Sequence, residues 1–122
     1  DGVTDGFYTF AQFDTPSREN CDEWVCNWID KYESIYGNSP NIGSAYGYMY
    51  TDVTAKAIEI AGNDLNVDSF ISALESIDNY EMPFGESVLS WGPDKHLGSS
   101  DAYLFVVDGG RFVRADSKKY EY

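Results

Sequence analysis

The chain is poor in basic residues and in cysteine, and it has no long apolar run. Its 122 residues include 8 Lys and Arg against 21 Asp and Glu, which gives a net charge of −13. A surface of this sign repels phosphate backbones and anionic lipid head groups, so we expect neither nucleic acid nor a membrane surface as a partner. No apolar run reaches the roughly 18 residues that a membrane-spanning helix needs.

Motifs for nucleophilic catalysis and for nucleotide binding are also missing. Gly-x-Ser-x-Gly does not occur, and no glycine-rich segment has the spacing and the Lys of a phosphate-binding loop. His96 is the only histidine, and a carboxylate from Asp94 or Asp101 could orient it for acid–base work. A small hydrolase using His96 and Asp101 is therefore one hypothesis. We favour His96 as a hydrogen-bonding brace of its loop, and we expect no enzyme activity, no catalytic residue and no cofactor.

Cys21 and Cys26 are the only cysteines, and both fall in a segment with helical periodicity. On a helix this spacing separates the Cα atoms by roughly 8 to 9 Å, whereas a disulfide closes only below about 7 Å. A bridge would require the first turn to unwind. We favour Cys21 as a small buried apolar residue beside Trp24 and Trp28. Without a Cys-x-x-Cys pair or a nearby histidine, we expect no metal site.

The hydrophobic content of 43%, with 16% aromatic residues, predicts a packed domain rather than a disordered chain. Alternating and helical patterns predict one strand, three helices and three further strands. In order, these are a strand over 6–13, a helix capped by Ser17 and ended by Gly37, a helix over 45–61, a short helix capped by Asn66, a strand over 88–91, and a hairpin of strands 103–107 and 111–113. The tail from Lys118 to Tyr122 is expected to fray.

Two blocks of the sequence carry the pattern of a known family. Residues 45–62 read AYGYMYTDVTAKAIEIAG, and residues 84–113 run from FGESVLSW through PDKH to AYLFVVDGGRFV. Their order and spacing resemble the C-terminal portion of type I periplasmic (extracellular) solute-binding proteins of the branched-chain amino acid ABC transporter family. The resemblance implies an α/β fold, as the C-terminal part of two Rossmann-like lobes.

The resemblance also implies how the chain is organised. Residues 1–122 would be the C-terminal segment of a ligand-binding domain, with 6–13 and 86–92 as the strands that cross between its lobes. Helix faces would then lack their parent sheet, so we expect self-association, or the remainder of a parent chain, to cover them. The 122 residues alone would be only marginally able to fold.

The function implied by the resemblance is capture of a small amino-acid-like or amide solute for ABC-transporter uptake. The receptor would lie in the periplasm or outside the cell and would meet the permease through the full-length protein. Tyr48 would form a wall of the ligand cleft, and Phe10 and Gln12 would be further ligand contacts. The alternatives are an exposed or interface Tyr48, and core packing for the strand residues. A related sensory or interaction domain coupled to signalling shares every one of these residues and is the alternative function.

Overall fold

The structure is a computed structural model and describes residues 2–19, 21–85 and 87–121. Its elements are β1 (Tyr8–Ala11), α1 (Glu23–Tyr36), α2 (Ile42–Ala61) followed by a 3₁₀ turn (Gly62–Asp64), α3 (Val67–Glu75), β2 (Tyr80–Glu81), β3 (Val88–Leu89), β4 (Asp101–Asp108) and β5 (Arg111–Glu121). The predicted order of strand, three helices and strands is present. The short strand β2 was not predicted, because a strand of two residues is too short to show a periodic pattern.

Strands β1, β4 and β5 form an antiparallel sheet with β4 in the centre, and β2 pairs separately with β3. The β4–β5 turn contains Gly109 and Gly110 with φ of 58° and 77°, a backbone region that glycine adopts without steric cost. The predicted hairpin is therefore correct. The predicted fraying is wrong as far as Glu121, because β5 continues along β4 and Tyr120 lies opposite Ala102. Tyr122 lies outside the described residues.

Each helix begins where a polar side chain satisfies its first free backbone N–H groups. The Asp22 side chain accepts a hydrogen bond from the Val25 N–H and starts α1, so the prediction of Ser17 as the cap is wrong. Asn41 starts α2 slightly ahead of the predicted position, and Asn66 caps α3 as predicted. No helix among the described residues combines the length and apolar character needed to cross a bilayer.

The two cysteines form a disulfide, which corrects the interpretation of Cys21 as a free buried residue. Cys21 precedes the first residue of α1, so the helical spacing between the two Cα atoms does not apply. Their Cα atoms lie 5.3 Å apart, within the range of a disulfide. The bridge therefore joins the segment before α1 to the first turn of that helix.

The main core lies between α1, α2 and the segment that contains β2 and β3. Its buried members are Phe13, Val25, Ile29, Ala45, Met49, Met82, Phe84 and Leu89. A smaller cluster of Ala57, Ala73 and Ile77 joins α2 to α3. Together these contacts hold α1 and α2 side by side, and this arrangement creates the groove described below.

Several large apolar side chains are nevertheless exposed. Phe7, Tyr8 and Phe10 lie at or beside β1, and Ile58 and Ile60 lie on α2. Exposed apolar side chains of this size often mark a surface that another chain covers. The covering partner itself stays a prediction.

Candidate functional site

An aromatic groove of about 590 Å³ lies between α1 and α2. Trp24, Trp28, Tyr32 and Tyr36 recur at every fourth residue of α1, a spacing that places them on one side of the helix. Tyr48 faces them from α2. Polar groups at the groove are supplied by Asn27, Lys31, Ser44 and Thr51. The lining is that of a site for a small, largely apolar molecule that carries a few polar atoms.

Tyr48 stands where the aromatic rings converge. Its ring centroid lies 5.6 Å from that of Trp24, 5.9 Å from that of Trp28 and 5.8 Å from that of Phe84, all in edge-to-face geometry. Phe84 is buried beneath the cluster, whereas Trp24 is 44% exposed. Such contacts add to the stability gained from burial and hold the rings in place. Tyr48 is therefore part of a packed aromatic cluster and not an isolated surface side chain.

A smaller, acidic recess of about 410 Å³ adjoins the groove and shares Trp24 and Tyr48 as walls. Asp52 and Tyr80 lie in this recess, and the Tyr80 hydroxyl donates a hydrogen bond to the Asp52 carboxylate. Burial, reinforced by this carboxylate, raises the pKa of Tyr80 well above its ordinary value. The Tyr80 phenol is thus held as a donor to the Asp52 carboxylate.

Phe10 and Gln12 occupy different surroundings from Tyr48. Phe10 is 57% exposed on β1, and its ring centroid lies 5.3 Å from that of Tyr120. The backbone carbonyl of Gln12 accepts a hydrogen bond from the Ser87 hydroxyl at 3.4 Å. The structure thus brings Tyr48 together with the groove tryptophans and places Phe10 on the sheet. Their roles as ligand contacts stay predictions.

His96 lies in the loop between β3 and β4 and is mostly exposed. Its Nε2 atom is 3.5 Å from Oε1 of Glu75, at the end of α3. Asp101 instead pairs with Lys119, with 3.1 Å between Oδ2 and Nζ. The contact with Glu75 is one that a loop brace would make, and Asp101, one of the two carboxylates proposed to orient His96, is engaged with Lys119. Across the described parts of the chain, no cluster of three or more His, Cys, Asp or Glu side chains could hold a metal ion.

The helical pattern places Trp24 and Trp28 on the same apolar face of α1 as Val25 and Ile29, but it does not say what covers each part of that face. In the structure only Val25 and Ile29 of α1 are buried, and the tryptophans line the groove. No local signal separates these two parts of the face, because every fourth residue advances by about 40° around the helix and Tyr36 therefore falls between Val25 and Ile29.

The fold is α/β, and the facing sides of α1 and α2 form an open aromatic groove. A family model described as periplasmic binding protein matches residues 2–111, and the chain therefore belongs to that family. The predicted family and the predicted α/β fold are confirmed. No curated protein sequence matches the chain.

Solved structures of similar fold include proteins of ABC transporters. A branched-chain amino acid ABC transporter from Thermus thermophilus, with bound valine, has a TM-score of 0.77 at 14% identity, over 98% of this chain and 34% of that one. A solute binding protein of an ABC transporter from Rhodopseudomonas palustris, in complex with 3,4-dihydroxybenzoic acid, has a TM-score of 0.70 at 17% identity, over 99% and 32%. A leucine binding protein from Thermotoga maritima has a TM-score of 0.66 at 16% identity, over 93% and 31%. The chain thus spans about a third of the length of the structures it matches.

Proposed function

We propose that this chain supplies one side of the binding site of a solute receptor, which captures a small molecule for uptake by an ABC transporter. The observation that carries the proposal is the ring cluster around Tyr48, in a chain that belongs to the periplasmic binding protein family. Closure of two lobes around a ligand is a common way for such a receptor to bury it. The receptor acts in the periplasm or outside the cell, and it meets the permease as the full-length protein.

The proposed ligand is a small amino-acid-like or amide solute with an apolar body. Aromatic walls bury the body of such a molecule, while a few polar groups fix its orientation. Lys31 at the groove offers a positive charge for a carboxylate, and Asn27, Ser44 and Thr51 offer hydrogen bonds. Valine and 3,4-dihydroxybenzoate, bound in two structures of similar fold, both combine an apolar body with a carboxylate.

We also propose that residues 6–13 and 86–92 are the strands that cross between the two lobes. Glu86 lies outside the described residues, but its neighbours support the proposal. The Ser87 hydroxyl bonds to the Gln12 carbonyl, and Gly85 packs against Phe13. The two crossings would then lie side by side, and Phe10 and Gln12 would sit where hinge movement meets the ligand.

The test is binding by the full-length protein that carries this chain. A ligand that binds only the folded state raises the thermal midpoint of the protein. Valine, leucine, benzoate, 3,4-dihydroxybenzoate, acetamide and urea are therefore screened by thermal shift. Any solute that raises the midpoint is then titrated by calorimetry. We expect Tyr48→Ala to weaken binding of that solute about tenfold or more, a loss of roughly 1.4 kcal/mol.

Tyr50→Ala is the matched control, because Tyr50 lies on the same helix, is 67% exposed and does not line the groove. It should leave the affinity unchanged. If no solute shifts the midpoint, a signalling role becomes the better hypothesis. Equal losses from the two variants would contradict the role assigned to Tyr48.

A further inference from the structure

Trp24 differs from the aromatic rings that it contacts or neighbours in what holds it in place. Trp28 and Tyr48 lie well inside α1 and α2, and Phe84 is buried in the core. Trp24 is the second residue of α1, in the turn where backbone N–H groups lack helical partners and helices fray. The position of its ring therefore depends on how firmly this one turn is held.

Four constraints converge on that turn. The Asp22 carboxylate accepts from the Val25 N–H at 2.8 Å, and the Asp22 carbonyl accepts from the Cys26 N–H at 2.9 Å. Val25 is buried in the core. The Cys21–Cys26 disulfide then joins the residue before the cap to the fourth residue of the helix. Trp24 lies inside the loop that the disulfide closes.

The position of the disulfide favours a local role over a global one. Its cysteines are only five positions apart, and a disulfide constrains the unfolded chain less when the loop it closes is short. It joins neither sheet to helix nor one helix to another. Both cysteines of the sequence are used here, at the start of α1, where Trp24 lines the groove.

We propose that the Cys21–Cys26 disulfide is a positioning element of the solute site. It holds the Trp24 ring against Tyr48 and Phe84, so that this wall is formed before a solute arrives. A preformed wall lowers the ordering cost of binding. The inference rests on the proposed function for its consequence in binding, but the positioning of Trp24 can be measured without any ligand.

The test labels the full-length protein that carries this chain with 5-fluorotryptophan and records ¹⁹F NMR spectra. Substituting each of the three Trp residues of this chain by Phe assigns their signals. In the Cys21→Ser/Cys26→Ser variant we expect the Trp24 signal to narrow and move toward that of free 5-fluorotryptophan. Trp91 is the internal control, because it is half-buried against both core clusters and should keep its signal. An unchanged Trp24 signal, or an equal change at Trp91, would overturn the proposal.

Chemical reduction provides a second route if the double variant does not fold. Dithiothreitol supplies two electrons and two protons, breaks the S–S bond into two thiols, and is itself oxidised to a cyclic disulfide. The Trp24 signal should then change in the same direction in an otherwise unaltered chain. A Trp24 signal that ignores reduction, with both thiols confirmed by titration, would overturn the proposal.

The binding arm uses valine and benzoate as probes on the full-length protein. Removing the disulfide should weaken the binding of any probe that the protein binds. The loss should be far smaller in a protein that already carries Trp24→Ala, because the effects of coupled residues are not additive. Equal losses in the two backgrounds would count against positioning through Trp24. If neither probe binds, the proposed function is in question, while the NMR result still decides whether the disulfide places Trp24.

Discussion

At Gly85 the chain passes so close to Phe13 that no side chain fits. An ideal Cβ at this position would lie 2.7 Å from the Cβ of Phe13 and 3.3 Å from the Gln12 carbonyl oxygen. Phe13 is among the most buried side chains of the core and cannot yield easily. Glycine is thus required here by close approach, at the point where the two proposed crossing segments meet.

We expect Gly85→Ala to reduce the free energy of unfolding by about 1 to 3 kcal/mol, the usual cost of overpacking a core. Gly47→Ala is the control, because a Cβ at Gly47 in α2 meets nothing within 4 Å. Alanine in that helix should instead stabilise the protein by roughly 0.5 to 1 kcal/mol. Urea unfolding monitored by circular dichroism measures both, and a Gly85→Ala protein as stable as the parent would contradict the packing described.

At the scale of the element, α1 has one broad apolar face whose two edges have different surroundings. Val25 and Ile29 point into the core, while the aromatic residues spaced four apart line the groove. A helix embedded in a globular protein usually has one apolar stripe and one polar face. The groove edge of α1 therefore leaves apolar surface open that the described part of the fold does not cover.

Replacing isoleucine by alanine should have different effects at the core edge and at the groove edge of α1. Ile29 is 2% exposed and Ile35 is 62% exposed. We expect Ile29→Ala to cost about 2 to 5 kcal/mol of unfolding free energy through lost burial and a cavity. Ile35→Ala should change it by no more than roughly 0.5 kcal/mol. Chemical denaturation of the two variants decides the matter, and similar losses would mean that the groove edge is as deeply packed as the core.

The whole molecule combines a net charge of −13 with exposed apolar side chains on the sheet and the helices. Like charge holds copies of the chain apart, whereas the uncovered apolar area favours their association. Ionic strength determines which effect dominates. The screening length falls from about 30 Å at 0.01 M to about 8 Å at 0.15 M ionic strength, so added salt weakens the repulsion between copies.

We therefore expect the 122-residue chain to self-associate, and to do so more strongly as salt is added. Light scattering coupled to size exclusion, at low and at physiological ionic strength, measures the molar mass. A monomer of 13.7 kDa at both ionic strengths would show that the exposed side chains need no cover. Phe10→Ser, at an exposed position of β1, should lower the mass if the sheet face takes part.

Much of the architecture was determined by the sequence alone, because the signals are local. The Asn66 cap, the Gly109–Gly110 turn and the blocks at 45–62 and 84–113 each depend on residues close together in the chain. They were enough to predict the order of elements and the family. The Asp22 cap was missed because Ser17 offers an equally good capping oxygen, and nothing local favours one over the other.

Only the tertiary structure decided the groove. The disulfide was missed for a more local reason, because Cys21 lies outside the helix once α1 begins after Asp22. Whether Trp24 is core or wall depends on which side α2 occupies. Helical periodicity reports that a face is apolar, but it does not report what covers that face. Contacts between residues far apart in the chain supply that answer, and here they assemble Trp24, Tyr48 and Phe84 into one ring cluster.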